Sequence, residues 1–212
     1  SIMSIQLVSR AKALGLDLTP RDVFEHKTPA ALAAVVGTST GQVLEELPGG
    51  GVGDMPLPPI VHWMLGRGGS IDRYSQAVLL RLPTGLDAAT LHAVVGAVID
   101  RHDMLRVQLV DDPDAAGGHR LHVPVPGAVP VAELIHRVPV TSAADSDDFF
   151  ALAATELDAA ADRLDPRRGR VVQLVWFDAT SGAGRLLIVI HHLAVDGVSW
   201  RILVPDLAAA WA

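Results

Sequence analysis

The chain contains no cysteine, which excludes disulfides, thiol catalysis and thiolate metal sites at once. No apolar run approaches the roughly 20 residues needed to cross a bilayer. The opening Ser1-Ile2-Met3-Ser4 lacks the basic, apolar and small-residue order of an export signal. Its 17 basic residues are scattered and the net charge is -7, so there is no basic stripe for nucleic acid. The phosphate-loop spacing GxxxxGK is missing, and the glycines at 49–53 are not followed by a lysine-bearing helix, so nucleotide binding has no support. These absences leave a cytoplasmic enzyme with neither nucleic acid nor membrane as a partner. A serine rather than a methionine at position 1 points to a processed or incomplete piece of something larger.

At 212 residues, half of them apolar, the chain can bury one good core, or a medium domain with a small appendage. Residues 1–36 carry a helical pattern of their own. Ile2, Ile5, Val8 and Ala11 recur every third residue, Leu14-Gly15 closes that helix, and Thr19-Pro20 opens the next as N-cap and first-turn proline. Val23 and Phe24 are expected to face inward, and Thr28-Pro29 to start a last helix with Leu32, Val35 and Val36. So small a core needs outside support, and the segment reads as the tail of a bundle whose first helix lies upstream of Ser1. Residues 37–54 change texture, since the cluster Pro48-Gly49-Gly50-Gly51-Val52-Gly53 loses much entropy on ordering. They read as a flexible linker, with Val43-Leu44 able to dock on a neighbour.

The second segment is 55–212. Pro56 to Arg67 fits a short helix that starts once the prolines stop, and Tyr74, Gln76, Val78 and Leu80 alternate as a strand over 74–82. Leu91, Val94, Val95, Val98 and Ile99 fix a helix over 87–101 by their three-four rhythm. Strands are expected at Leu105 to Val110 and Arg120 to Val123, around turns at Asp111-Asp112-Pro113-Asp114 and Gly117-Gly118. A helix from Phe149 to Leu164, a strand from Val171 to Phe177 and a turn at Ser181-Gly182-Ala183-Gly184 follow. Strands alternating with helices define an α/β fold with helices packed on a sheet.

Leu186-Leu187-Ile188-Val189-Ile190 is continuously apolar and branched, the mark of a strand covered on both faces. His191 and His192 stand at its end and, by strand alternation, point to opposite faces. They cannot easily share one job, so one should be catalytic and the other structural. An imidazole with an ordinary pKa of about 6.5 can take a proton near neutral pH, which makes His192 the candidate general base. Gly197 gives the chain freedom after Asp196, and Val198, Ile202, Leu203, Leu207 and Trp211 return to helical spacing. Two roles are open for Asp196: accepting a ring N–H, or pairing with an arginine such as Arg106 to hold the loop in shape. Zinc on the histidines and Asp196 is the rival, but the opposed directions and the missing HExxH weigh against it, and no metal is expected. The bland alternative, satisfied polar residues in a loop, is weakened because two imidazoles after so apolar a strand need compensation.

The stretch from His191 to Leu203, His-His-Leu-Ala-Val-Asp-Gly-Val-Ser-Trp-Arg-Ile-Leu, resembles the HHxxxDG core motif of the nonribosomal peptide synthetase condensation superfamily. Its continuation Gly197-Val198-Ser199-Trp200-Arg201-Ile202-Leu203 resembles the epimerization branch. Pro59-Ile60-Val61-His62-Trp63-Met64 resembles the opening motif of epimerization domains, and Arg101-His102-Asp103-Met104-Leu105-Arg106 the early helix-to-strand passage of the superfamily. Ser1 to Arg10 and Thr19 to His26 resemble a peptidyl carrier domain from its modification site onward, without the Gly-Gly-Asp that normally precedes the serine.

The resemblance implies a chloramphenicol-acetyltransferase-like lobe, with helices packed on a mixed sheet, preceded by a partial small helical carrier bundle. Only the N-terminal lobe would be present. It implies that His192 is the principal catalytic histidine, that His191 is its structural neighbour, and that Asp196 holds shape, with Arg106 and Gly197 in support. Ser1 would carry covalent 4'-phosphopantetheine. The implied reaction is epimerization at the α-carbon of a carrier-bound aminoacyl or peptidyl thioester, with a glutamate from the C-terminal lobe of the same domain as the second group. An upstream adenylation domain and downstream synthetase modules would be further partners. Condensation, which joins two carrier-bound substrates through a peptide bond, is the same-fold alternative. A noncatalytic docking module is the alternative from another class.

Overall fold

Two Thr-Pro pairs set the helices of the N-terminal unit. The structure is a computed structural model that describes residues 2–38, 49–141, 146–179 and 182–211, and the chain divides into the units Ser1–Pro48 and Gly49–Ala212. The first unit runs α1 (Ile2–Ala13), β1 (Leu16–Asp17), α2 (Pro20–Glu25), α3 (Pro29–Val35) and β2 (Gly37–Thr38). Thr19 and Asp22 form a reciprocal capping box at α2, and the Thr28 hydroxyl accepts the Ala31 N–H at α3. Val8, Ala11 and Leu18 form the core, with Val23, Leu32 and Val36 against it.

Phe24, expected to face inward, is 55% exposed, and Val35 (47%) and Ile5 (46%) are exposed as well. Adjacent helical residues lie about 100° apart, and a three-residue step drifts about 60° per repeat from the 3.6-residue turn, so a core this small cannot hold them all. Gly37 and Thr38, read as linker, pair with Asp17 and Leu16. Val43-Leu44 lies outside the described residues.

In the second unit the glycines at 49–53, also read as linker, lead into a strand. Gly51 N–H donates to the Asp103 carboxylate at 2.6 Å, and β3 (Gly53–Met55) pairs with Leu121–Val123. The chain continues through α4 (Pro59–Gly66), β4 (Ser75–Arg81), α5 (Ala88–Arg101) and a 3-10 turn at Asp103–Arg106. Then come β5 (Gln108–Asp111), β6 (His119–Val123), α6 (Val131–Leu134), β7 (Ile135–Val140) and α7 (Asp147–Asp162). A second 3-10 turn (Pro166–Arg168), β8 (Val172–Ala179), β9 (Arg185–His191) and α8 (Trp200–Trp211) complete it.

One sheet has the order β4-β9-β8-β7, with β7 parallel to β8 and the other pairs antiparallel; the other sheet is the antiparallel β3-β6-β5. The fold is thus mixed α/β with helices on sheets. The strand expected from Leu105 starts instead at Gln108, because the chain first turns to bury Arg106. β7 has no counterpart among the expected strands: His136, Arg137 and Pro139 break its alternation, which an edge strand tolerates.

Alternation along β8 and β9 divides the core. Leu174, Trp176, Leu186, Ile188 and Ile190 pack with Leu91, Val95 and Ile99 of α5 and Leu203 of α8. Val175, Phe177, Leu187 and Val189 pack with Phe149 and Ala160 of α7. Helices therefore cover both faces of β9, as its unbroken apolar run predicts, and each fully buried side chain contributes about 1.5–3 kcal/mol. Among the described residues no helix is long and apolar enough to cross a membrane.

Candidate active site at the end of the central strand

The β4–β9 register sets Ser75 opposite His191, and the next backbone bond, from His192 N–H to the Tyr74 carbonyl at 2.7 Å, sets Tyr74 opposite His192. The Tyr74 ring stacks on the His192 imidazole, with centroids 4.8 Å apart and planes 15° from parallel. Gln76, two residues along, shares the face of Tyr74 and is the diagonal neighbour of His192. Its Nε2 lies 3.2 Å from His192 Nε2, and its Oε1 accepts the Trp200 indole N–H at 2.8 Å. Half-buried His192 is thus held by β4, whose Gln76 is in turn held by the first residue of α8.

His191 is closed off. It has no exposed surface, its Nδ1 accepts the Leu193 N–H at 3.0 Å, and its Nε2 lies 2.8 Å from the Ile71 carbonyl. A carbonyl only accepts, so the ring proton sits on Nε2. Burial pushes its pKa below the ordinary histidine value, against a smaller upward pull from the Ile71 carbonyl.

Among the described residues Asp196 bonds neither a ring N–H nor an arginine, but its bonds hold the loop in shape. Its Oδ1 accepts the Val198 and Ser199 N–H groups, both at 2.9 Å, and the Ser199 hydroxyl at 2.8 Å, while Ser199 Oγ accepts the Asp196 N–H at 3.1 Å. These bonds, Ser199's foremost, hold its carboxyl below the usual carboxylate range and tie down the turn into α8. The negative side chain is met by the backbone donors of its own turn, two and three residues on.

Arg106 is fully buried elsewhere. It donates to the carbonyls of Ile99 at 2.8 Å, Asp100 at 2.7 Å and Pro124 at 3.1 Å, and to Asp103 at 2.6 Å. It satisfies carbonyls that the end of α5 leaves unpaired. Gly197 has no positive φ, and a Cβ there would meet nothing within 4 Å, so the loop's conformation does not demand glycine. Ser1 lies outside the described residues. Among those residues no group of three His, Asp or Glu side chains could hold a metal ion.

Tyr74 and Gln76 enter the sequence reading only as strand residues. The signal there is a glutamine on a strand face otherwise carrying Val78 and Leu80. What it touches depends on a register that the sequence does not specify.

A mixed sheet whose buried central strand opens into an HHxxxDG turn, one imidazole sealed and the next reachable, defines a condensation-type lobe. The chain belongs to the condensation-domain family: the Condensation domain family matches residues 63–212, and the Phosphopantetheine attachment site family matches residues 1–36. It is 35% identical over 216 residues to a linear gramicidin synthase of Brevibacillus parabrevis, covering 100% of this chain and 4% of that protein. It is 37% identical over 212 residues to a chondramide synthase of Chondromyces crocatus, covering 98% of this chain and 5% of that protein. The chain therefore spans a small fraction of these curated relatives.

Among solved structures, the epimerization domain from the third module of tyrocidine synthetase B superposes with a TM-score of 0.62 at 24% identity, over 80% of this chain and 36% of that one. The starter condensation domain of the rhizomide synthetase superposes with a TM-score of 0.58 at 17% identity, over 74% of this chain and 37% of that one. At these identities the likeness is one of fold.

Proposed function

We propose that the chain takes part in epimerization at the α-carbon of a carrier-bound aminoacyl or peptidyl thioester, from L to D, in nonribosomal peptide synthesis. The observation that carries this reading is the His192 ring, half-buried, stacked on Tyr74 and bonded by Gln76, which the Trp200 indole holds in turn. The Gly197-Val198-Ser199-Trp200 continuation favours epimerization over condensation, and Trp200 is one of the residues that position the ring. Residues 1–36 are assigned to a carrier domain and 55–212 to the lobe, with the extent of the linker between them shortened by β2 and β3.

Ser1 is assigned as the attachment point of 4'-phosphopantetheine. The match of residues 1–36 to the Phosphopantetheine attachment site family supports this assignment. The arm supplies the thioester. A thioester carbonyl acidifies the adjacent C–H, so inversion requires one group to remove the proton and another to return it from the opposite face. His192 serves one face or steadies the negative oxygen that forms. The opposite face is assigned to a glutamate of the domain's C-terminal lobe. Further partners are an upstream adenylation domain and downstream synthetase modules, in the cytoplasm.

The test uses the full-length synthetase loaded with an L-aminoacyl thioester in deuterated water. A D-configured product with deuterium at the α-carbon supports the reading. A new amide with no α-exchange overturns it in favour of condensation.

A further inference from the structure

We propose that Gln76 is a positioning residue which, held by the Trp200 indole, fixes the tautomer of His192 with its ring proton on Nδ1, so that the neutral ring meets its substrate as a hydrogen-bond donor.

Donor and acceptor chemistry alone leads there. An indole N–H can donate and cannot accept, so the amide atom 2.8 Å from Trp200 Nε1 is the Gln76 oxygen. The amide is planar, and its NH2 group is therefore the one facing His192 Nε2 at 3.2 Å. An NH2 group donates, so Nε2 accepts and carries no proton. The neutral imidazole then keeps its single proton on Nδ1, and among the described residues nothing hydrogen-bonds Nδ1. Tyr74 is stacked flat on the ring. Among the described residues the charged and titratable neighbours are Tyr74, stacked on the ring, and Asp196 and His191, felt through space, and none of their side chains hydrogen-bonds it.

The consequence rests on the proposed epimerization. With the Nε2 lone pair occupied by Gln76, the ring presents Nδ1–H to the thioester oxygen as the α-proton leaves. His192 would thus stabilise the developing negative charge and exchange no proton with the α-carbon, so that removal of the proton on one face and its return on the other fall to two further groups outside the described residues. The role differs from that of general base, which the sequence alone suggests for His192.

The tautomer can be read without turnover. In the 212-residue chain labelled with 15N-histidine, His192 is assigned by the resonances lost in His192→Gln. It should show a pyridine-type Nε2 and a pyrrole-type Nδ1. Gln76→Glu replaces the donor with an acceptor and should move the proton to Nε2. Trp200→Phe frees the amide to turn over and should give a mixture of the two forms. The other histidines reveal whether each variant is folded. A pyrrole-type Nε2 in the unaltered chain overturns the proposal, as does an unchanged pattern in both folded variants. If the tautomers behave as stated but the unaltered synthetase shows no α-proton exchange, the epimerization reading fails and the Gln76 assignment stands; exchange intact in His192→Ala removes the chemical role of His192 alone.

Discussion

His191 and His192 are consecutive residues with opposite surroundings. His191 is sealed, with one ring nitrogen accepting from Leu193 and the other donating to Ile71. His192 lies half-buried, stacked on Tyr74, with only Nε2 engaged by a side chain. The first ring has no hydrogen-bonding capacity to spare and serves the fold. Among the described residues the second has one ring nitrogen with no hydrogen-bond partner. Adjacent imidazoles differ in chemistry because one ends the buried strand while the next begins the turn, where β4 and α8 supply the partners.

The comparison is broken most severely by His191→Ala, which leaves the Ile71 carbonyl and Leu193 N–H unpaired around a cavity. Thermal or denaturant unfolding should show a loss of about 3–5 kcal/mol. The same change at His192, already half-exposed, should cost under about 1 kcal/mol. Equal losses at the two positions would erase the distinction.

The pH dependence of stability sharpens it. His191 has a folded pKa below its unfolded value, so the unfolded chain binds the proton first. Its contribution is complete above the ordinary histidine value of about 6.5 and declines as the pH falls through the window beneath it. Unfolding measured against pH should show this decline, and His191→Gln should remove it.

Smaller effects are expected in the loop. Asp196→Ala removes the bonds that tie down the turn into α8 and should cost about 1 kcal/mol at neutral pH. Because its carboxyl is held below the usual range, that contribution is present above about 3.9 and is lost as the pH falls through the folded value. Gly197→Ala, with open space around the new methyl group, should change stability by less than about 0.5 kcal/mol. Activity lost from a stable Gly197→Ala variant would mean that substrate passes close to the loop.

Much of this is legible in the chain. The apolar run at Leu186 to Ile190 marks a strand covered on both faces, and the rhythm from Leu91 to Ile99 marks α5, because burial imposes a period on each. β3 and β7 are hidden, one in a glycine cluster and the other behind Pro139, since their pairing comes from partners distant in sequence. The site is legible in part. The HHxxxDG order locates it, but Asp196 turns to its own helix start and Arg106 to the end of α5. Tyr74 and Gln76 reach His192 across a strand pair whose members lie far apart in sequence. Short-range patterns cannot set that register.

The central claim, that the reachable histidine does chemistry while its sealed neighbour holds the fold, is tested most directly by α-proton exchange in deuterated water. The measurement uses the full-length synthetase carrying His192→Ala and a loaded thioester. The account predicts a fall of about 10²–10⁴-fold in exchange rate with stability nearly unchanged; exchange at the unaltered rate would contradict it.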